Sequence, residues 1–149
     1  PMAFAAMQKG VPLLAWIMLL ANLFWVLAYD TEYAMVDRED DLRIGIKTSA
    51  ITFGRFDVLA VMVCYALFLL LMVWLGAAIG RGGYYFGGLA LAAVFVGYQW
   101  VLIRERDRKR CFQAFQFNQW IGAVIFLGLL VDYAVQHAHR MSGVTIIYP

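Results

Sequence analysis

The sequence predicts an all-α fold, a polytopic bundle of four membrane-spanning helices. Of its 149 residues, 64% are hydrophobic and only 15% are charged, and the mean hydropathy is +0.73. Soluble domains average about 45–50% apolar and roughly 25% charged residues. About 20 consecutive apolar residues cross a bilayer as a helix, and four such segments follow one another here. None of them alternates polar and apolar residues with period two, which disfavours a membrane barrel.

The four spans are predicted at residues 11–29, 58–79, 83–103 and 112–131. The first three carry no charged side chain. The fourth is the least apolar, because four amide side chains precede the apolar stretch that starts at Trp120.

Three connections join these spans, and their charges predict the orientation. Residues 30–57 carry four basic side chains, residues 104–110 carry five, and the turn 80–83 carries only Arg81. With four spans the first and third connections share a side, and cytoplasmic loops are rich in Lys and Arg. We therefore expect residues 30–57 in the cytoplasm. The segment 104–110 is interpreted as a topology anchor, with an anionic-lipid or phosphate contact as the alternative.

Several classes of site are disfavoured. A net charge of +2 is too small to indicate a nucleic-acid partner. Cys64 and Cys111 lie far apart and are expected to be unpaired thiols in apolar surroundings. His137 and His139 alone make a poor metal site. The first ten residues resemble no signal peptide, and we expect the chain to be a piece of a longer protein.

The stretch "YDTEYAMVDREDDLRIGIK" places six acids in the twelve positions 30–41, directly after the first span. We predict one continuous helix over residues 30–44, ending at Gly45 because glycine commonly follows a helix end. At roughly 100° per residue, four aspartates and Tyr33 then share one arc. These aspartates are Asp30, Asp37, Asp40 and Asp41. Like charges at i,i+4 destabilise a helix, so we expect a bound cation to offset their repulsion.

Carboxylates at this spacing suit Mg²⁺, which typically binds one or two of them together with waters and substrate phosphates. Asp37 and Asp41 project side by side and are the predicted catalytic acids and metal ligands. Asp40 and Asp30 are further candidate ligands. A diphosphate can approach these acids through Mg²⁺, which also neutralises charge developing on a diphosphate leaving group.

The other charged residues of this region receive different interpretations. Arg43 and Lys47 are candidate phosphate contacts. Glu32 and Glu39 point away from the aspartate arc and are interpreted as solvated. Asp57 is expected to cap the second span.

Two further polar residues, one within a span and one at the end of a span, give weaker indications of a role. Asn22 lies on the helical face of Tyr29 and Asp30, and it is expected either to line a cavity or to form a helix–helix hydrogen bond. Asp132 is expected to end the last span at the opposite interface without a special role.

"YDTEYAMVDREDDLRIGIKTSAITFG" closely resembles the second aspartate-rich motif of the UbiA-type intramembrane prenyltransferases. "PMAFAA", "ANLFWVLAYDT" and "CFQAFQFNQWIGAVIFLGLL" extend the likeness over nearly the whole chain. The chain is most similar to members that act on 4-hydroxybenzoate. The resemblance implies a fold of nine transmembrane helices around a central cavity, and this chain would be its C-terminal half.

The resemblance also implies a reaction. Two aspartate motifs would bind Mg²⁺ and the diphosphate of a polyprenyl donor, and the prenyl carbon would join the ring of 4-hydroxybenzoate during ubiquinone biosynthesis. The second motif, DxxxD, falls on Asp37 and Asp41. The same block holds the candidate substrate contacts Tyr29, Tyr33, Arg43 and Lys47. The implied location is the bacterial inner membrane, or the mitochondrial inner membrane if the source is eukaryotic.

One departure from the family's pattern shapes the expected activity. The first motif, NDxxDxxxD, is absent, since Asn22 is followed by Leu23. We expect the chain alone to be inactive and its partner to be an N-terminal half that bears this motif. A non-catalytic membrane fragment or half-module is the alternative. A CDP-alcohol phosphatidyltransferase is disfavoured because the glycines that precede its aspartates are missing, and a channel because the acids lie beyond a span.

Overall fold

The computed structural model describes residues 1–142, which form seven α-helices and one 3-10 turn and contain no β-strand. The all-helical fold class is confirmed. The helices are α1 Met2–Gln8, α2 Leu13–Val36, α3 Arg38–Ile44, α4 Ser49–Phe53, α5 Asp57–Ala78, α6 Gly83–Ile103 and α7 Arg108–Ser142, with the 3-10 turn at Gly54–Phe56. The rest of the C-terminal tail, 143–149, for which the sequence predicts no element, lies outside the described residues.

Within residues 1–142, four helical stretches are long and apolar enough to cross a membrane, and they correspond to the four predicted spans. They are Leu13–Val36, Ser49–Ala78, Gly83–Ile103 and Arg108–His139. The first and last extend well beyond the predicted 11–29 and 112–131. Hydropathy marks only the part of a helix that matches the hydrocarbon thickness, and these two helices continue into the polar interface.

The four long helices form a closed ring. α6 packs along α7 and α2 along α5, while α2 also contacts α7 and α5 contacts α6. At the α6–α7 contact a Cβ added to Gly88 would lie 2.7 Å from the carbonyl oxygen of Val124, and one added to Gly128 would lie 3.0 Å from the Cα of Gly88. Such close backbone approach at small residues is typical of membrane helices, because lipid leaves no hydrophobic force between them.

The outward faces of the bundle remain apolar. Leu23, Leu70 and Phe126 are each more than half exposed, as expected for helices whose outer faces contact lipid rather than water. Cys64 and Cys111 are buried and unpaired, as predicted.

The turn 80–83 connects α5 to α6 at one end of the bundle, with Gly80 at φ +66°. Asp132 is buried there, and its carboxylate accepts the backbone N–H of Gly82 at 3.0 Å and the side-chain amide of Gln136 at 3.0 Å. The expectation that Asp132 merely ends the last span is wrong. α7 continues past it, and the first N–H groups of α6 need an acceptor that their own helix cannot supply.

At the other end, the predicted continuous helix over residues 30–44 is wrong. α2 ends at Val36, and Asp37 adopts φ −97° and ψ 5° before α3 begins. Three acids consequently fall in the first turn of α3: Glu39, Asp40 and Asp41. Free N–H groups at a helix start favour negative charge, so the break places these three acids where the start of α3 stabilises them. Gly45, at φ +76°, ends α3 as predicted.

Candidate functional site

The break at Asp37 distributes the predicted acidic site over two helices. Asp30 lies exposed on α2, whereas Asp40 and Asp41 lie partly buried on α3. The single arc predicted for a continuous helix is therefore interrupted. The N–H of Asp41 donates to the carbonyl of Asp37 at 2.9 Å, so these two residues keep their one-turn relation.

One guanidinium bridges two of the acids. Nη2 of Arg108 lies 3.0 Å from Oδ2 of Asp40 and 3.5 Å from Oδ1 of Asp37. Nη1 of Arg43 is 3.8 Å from Oδ1 of Asp40. A single nitrogen of Arg108 therefore contacts both carboxylates. The basic segment 104–110 thus contacts the acidic stretch directly.

The chemistry of this donor set fits Mg²⁺. In the part of the chain that is described, no three His, Cys, Asp or Glu side chains group closely enough to bind a metal by themselves. Mg²⁺ needs no such group, since it keeps several waters and takes one or two carboxylates besides substrate phosphates. The assignment of Asp37, Asp41, Asp40 and Asp30 as its ligands stays a prediction.

Asp57 lies beside the acidic stretch and is fully buried. Its Oδ2 accepts a hydrogen bond from Nη1 of Arg38 at 2.9 Å, and its Oδ1 accepts one from Nη2 of Arg106 at 2.6 Å. The bond to Asp57 raises the pKa of the Arg106 guanidinium above its already high usual value, so Arg106 stays charged. The expected capping role is wrong: the N-cap of α5 is Phe56, and Asp57 is the first residue of the helix and forms no N-cap hydrogen bond. Its Oδ1 accepts the N–H of Val58 at 2.7 Å, but its main partners are arginines.

Glu32 is fully buried between helices, so the expectation that it is solvated is wrong. The hydroxyl of Tyr65 lies 3.2 Å from Oε1 of Glu32 and 3.0 Å from Oδ1 of Asn118, which also accepts the indole N–H of Trp25 at 2.8 Å. In the described part of the chain, Oε2 of Glu32 has no hydrogen-bond partner. A hydroxyl has one hydrogen and can donate to only one of these two oxygens. Glu39 is exposed, as expected.

A groove runs between α2 and α7 and is formed by two adjoining cavities of about 740 and 620 Å³. Asn22, Trp25 and Gln119 line both cavities. Of the two alternatives expected for Asn22, the structure therefore supports the cavity-lining role. The larger cavity is also lined by the polar side chains of Gln116 and Asn118. The smaller is lined by apolar side chains, among them Met18, Phe68, Met72, Ile125 and Phe126.

The four predicted substrate contacts occupy different positions. Tyr29 lines the groove, and its ring lies 6.2 Å from that of Phe115. Tyr33 packs against the same phenylalanine at 5.1 Å and is partly exposed. Arg43 and Lys47 are exposed. The structure thus places Tyr29 in the groove and Tyr33 against Phe115, which lines it. Of the two basic residues, Arg43 lies near an aspartate, Asp40.

Comparison with known proteins identifies the family. The model of the UbiA prenyltransferase family matches residues 1–130. The chain is 65% identical over 136 residues to a protein of Cupriavidus pinatubonensis named 4-hydroxybenzoate octaprenyltransferase, a match covering 91% of this chain and 48% of that protein. A protein of the same name from Azoarcus sp. is 64% identical over 135 residues, covering 91% and 47%.

The chain thus spans about half the length of these curated relatives. No solved structure matches it. The family match over most of the residues and the identity to these relatives agree with the motif on α2 and α3, and the chain therefore belongs to the UbiA prenyltransferase family.

Proposed function

We propose that this chain supplies the C-terminal half of a Mg²⁺-dependent enzyme that transfers a polyprenyl group from polyprenyl diphosphate to the ring of 4-hydroxybenzoate. The names of its relatives support the reaction and the acceptor. The structural observation that carries the proposal is the convergence of Asp37 and Asp40 on one cationic group, Arg108. A site that places two carboxylates around a single positive charge is suited to a metal–diphosphate complex.

Asp37 and Asp41 would hold the metal, with Asp40 and Asp30 as further ligands. When bound, Mg²⁺ neutralises the charge that develops on the diphosphate as its bond to the prenyl carbon breaks. Arg108 lies beside the same acids and can donate charge-assisted hydrogen bonds to phosphate oxygens.

The groove between α2 and α7 supports the binding of the prenyl chain. Its apolar end, with Phe68 and Phe126, suits a hydrocarbon chain, whereas Tyr29 lines the other end one residue before Asp30. In the transfer, the prenyl C–O bond breaks, a C–C bond forms at the ring carbon beside the hydroxyl, and that carbon loses its proton. Aromatic side chains around the reacting carbon exclude water that would otherwise capture the cation.

The decisive experiment compares this chain alone with the chain co-expressed with an N-terminal half that carries the first aspartate motif. Each preparation is assayed in detergent with Mg²⁺, a short prenyl diphosphate and 4-hydroxybenzoate. We expect no detectable product from the chain alone and prenylated product from the pair, because one motif leaves much of the diphosphate charge unscreened. Product from the chain alone would contradict the two-motif proposal. An inactive pair would favour the alternative, a non-catalytic half-module.

We place the acidic connection on the cytoplasmic side of the inner membrane, because residues 30–57 and 104–110 carry nine basic side chains and the turn 80–83 carries one. Single cysteines at Glu39 and Gly83 test this orientation. Glu39 is exposed, a Cβ at Gly83 would meet no atom of the described residues within 4 Å beyond its own chain neighbours and local helix backbone, and both native cysteines are buried. An impermeant thiol reagent added to intact cells should label only position 83, and labelling at position 39 would reverse the orientation.

A further inference from the structure

Asp57 connects two segments that are far apart in the sequence. Arg38, from the acidic connection, lies 19 residues before it, and Arg106, from the basic connection, lies 49 residues after it. Asp57 has 0% exposed side-chain surface, whereas the two arginines keep 33% and 40% of theirs exposed. A buried carboxylate is costly unless it is paired, and here both of its charged partners come from outside α5.

Arg106 is itself held in an unusual conformation. Its φ of +56° lies in the left-handed region, which residues other than glycine seldom adopt. Its guanidinium donates through Nε and Nη2 to Asp57 and, at 2.9 Å, to the carbonyl of Arg55. Four hydrogen-bond contacts from one side chain, three to Asp57 and one to Arg55, therefore fix the basic connection to the start of α5.

Both arginines are neighbours of the residues that meet at the acidic site. Arg38 directly follows Asp37, and Arg106 lies two positions before Arg108, which contacts Asp37 at 3.5 Å. A cavity of about 440 Å³ between the two connections is lined by Arg38, Asp57, Arg106 and Arg108. Arg38 and Arg106 are already paired with Asp57, so they are not free to bind an anion in this cavity. The cavity separates the two connections, and Asp57 joins them across it.

We propose that Asp57 is a positioning residue that fixes the acidic segment 37–44 against the basic connection 104–108 and thereby sets the geometry of the diphosphate site. Without it, Arg38 and Arg106 lose their common partner, and the separation between Asp37 and Arg108 is no longer set. The positioning of the two segments stands on the contacts alone. Its consequence for diphosphate rests on the proposed function.

Asp57→Asn separates this role from a local one. The amide oxygen of Asn can still accept the N–H of Val58, so the start of α5 keeps its hydrogen bond. The charge that pairs with two arginines is lost. Asp132→Asn is the matched control, because Asp132 is equally buried and hydrogen-bonded but lies at the opposite end of the bundle.

Hydrogen exchange measured by mass spectrometry on the purified chain tests the positioning. Asp57→Asn should speed amide exchange in peptides covering 37–46 and 104–108 by about tenfold, the factor expected when a charge-assisted hydrogen bond is lost. The turn 80–83 should be unaffected. Asp132→Asn should instead speed exchange in the turn 80–83 and leave the peptides covering 37–46 and 104–108 unaffected. Equal exchange in 37–46 for Asp57→Asn and the unsubstituted chain would overturn the proposal.

Should Asp57→Asn fail to fold, Arg106→Gln removes one of the same contacts through a side chain that is 40% exposed. Its control is Arg104→Gln, in the same connection, where the guanidinium contacts Glu105 and the ring of Trp100. Faster exchange in 37–46 for Arg106→Gln, but not for Arg104→Gln, supports the proposal. Identical behaviour of the two variants contradicts it.

Kinetics of the chain paired with its N-terminal half test the consequence for the site. Asp57→Asn should raise the KM for prenyl diphosphate and the Mg²⁺ concentration for half-maximal activity about tenfold each, because both depend on the geometry that the lost charge-assisted hydrogen bonds maintain. The KM for 4-hydroxybenzoate should stay unchanged. An equal rise in both substrates' KM values would indicate general damage and contradict the proposal. If exchange changes as expected but the unsubstituted pair is inactive, the proposed function fails and the positioning role stands.

Discussion

The two ends of the bundle are held together by different interactions. At the acidic end, formed by residues 30–57 and 104–110, side-chain ion pairs join distant segments: Arg38 and Arg106 to Asp57, and Arg108 to Asp40. The turn end is formed by residues 80–83, the start of α6 and the end of α7. There the contacts involve backbone atoms. Asp132 accepts the N–H of Gly82 there.

The difference determines which end can accommodate a charged ligand. The pairs of Arg108 with Asp37 and Asp40 join partly exposed side chains. They can exchange partners with a metal or a phosphate at little cost, since such pairs contribute only about 0–1 kcal/mol. Backbone contacts between glycines cannot rearrange without separating the helices. The turn end is therefore rigid, whereas at the acidic end the pairs of Arg108 can adjust while the buried Asp57 keeps its own, and chemistry is expected there.

The largest expected effect is on activity at the acidic end. In the assembled enzyme, Asp37→Asn or Asp41→Asn should lower turnover by about 10²–10³-fold, the loss typical when one preorganised electrostatic contact is removed from a reaction centre. Glu39→Gln should change turnover little, and Asp132→Asn at the turn end should leave KM values unchanged. Product formation is the measurement. A loss with Glu39→Gln as large as that with Asp37→Asn would mean that the acids are not distinguished by position.

The next effect concerns stability at the turn end. Gly88→Ala should destabilise the chain by about 1–3 kcal/mol, as overpacking does, because its Cβ would meet a backbone oxygen at 2.7 Å. Gly87→Ala is the matched control, because a Cβ there would meet no atom of the described residues within 4 Å beyond its chain neighbours and local helix backbone; it should be neutral or slightly stabilising. Unfolding in detergent measures both variants. Equal destabilisation would show that the two helices do not touch at Gly88.

A comparable effect is expected from the buried hydroxyl near the acidic end. Tyr65→Phe removes the donor between Glu32 and Asn118 and should destabilise the chain by about 1–3 kcal/mol. Adding Glu32→Leu should recover part of this loss, because the buried carboxyl then no longer lacks a donor. The exposed Tyr84→Phe is the control. A double variant no more stable than Tyr65→Phe alone would rule out this coupling, as judged by denaturant unfolding.

The smallest effect is expected for Arg108→Gln. Its side chain is 60% exposed and that of Asp40 is 49% exposed, so water and salt screen the pair and its loss should cost less than about 1 kcal/mol. Activity of the assembled enzyme should nevertheless fall if Arg108 serves the diphosphate. A large loss of stability in denaturant would instead identify Arg108 as part of the structural support.

Hydropathy was sufficient to predict the four spans, because lipid selects for apolar length regardless of the fold. It could not predict the break at Asp37. A continuous helix and a broken one share the same residues there, and the choice depends on charges in the first turn of α3 and on the pairing of Arg38 with Asp57, a contact between positions 19 residues apart. Gly45, by contrast, was predictable because its positive φ is a local property.

The burial of Glu32 was missed because its charge was read in isolation. A signal was present: Ala21, Ala28 and Met35 recur every seven residues on the buried side of α2, and Glu32 lies one turn from two of them. The partners of Asp57 could not be foreseen, since neither arginine is distinguished from its basic neighbours by sequence. The aspartate motif itself was recognisable as a contiguous pattern.

The pairing of Asp57 with both Arg38 and Arg106 limits how the motif can be transplanted. A graft that carried only α2, α3 and α5 would bring the aspartates and Asp57 but would leave Arg106 behind, together with the guanidinium of Arg108. The shortest self-supporting cassette for protein engineering therefore extends from α2 through the start of α7. The acidic motif is continuous in sequence, but its structure depends on contacts from both helical hairpins of the bundle.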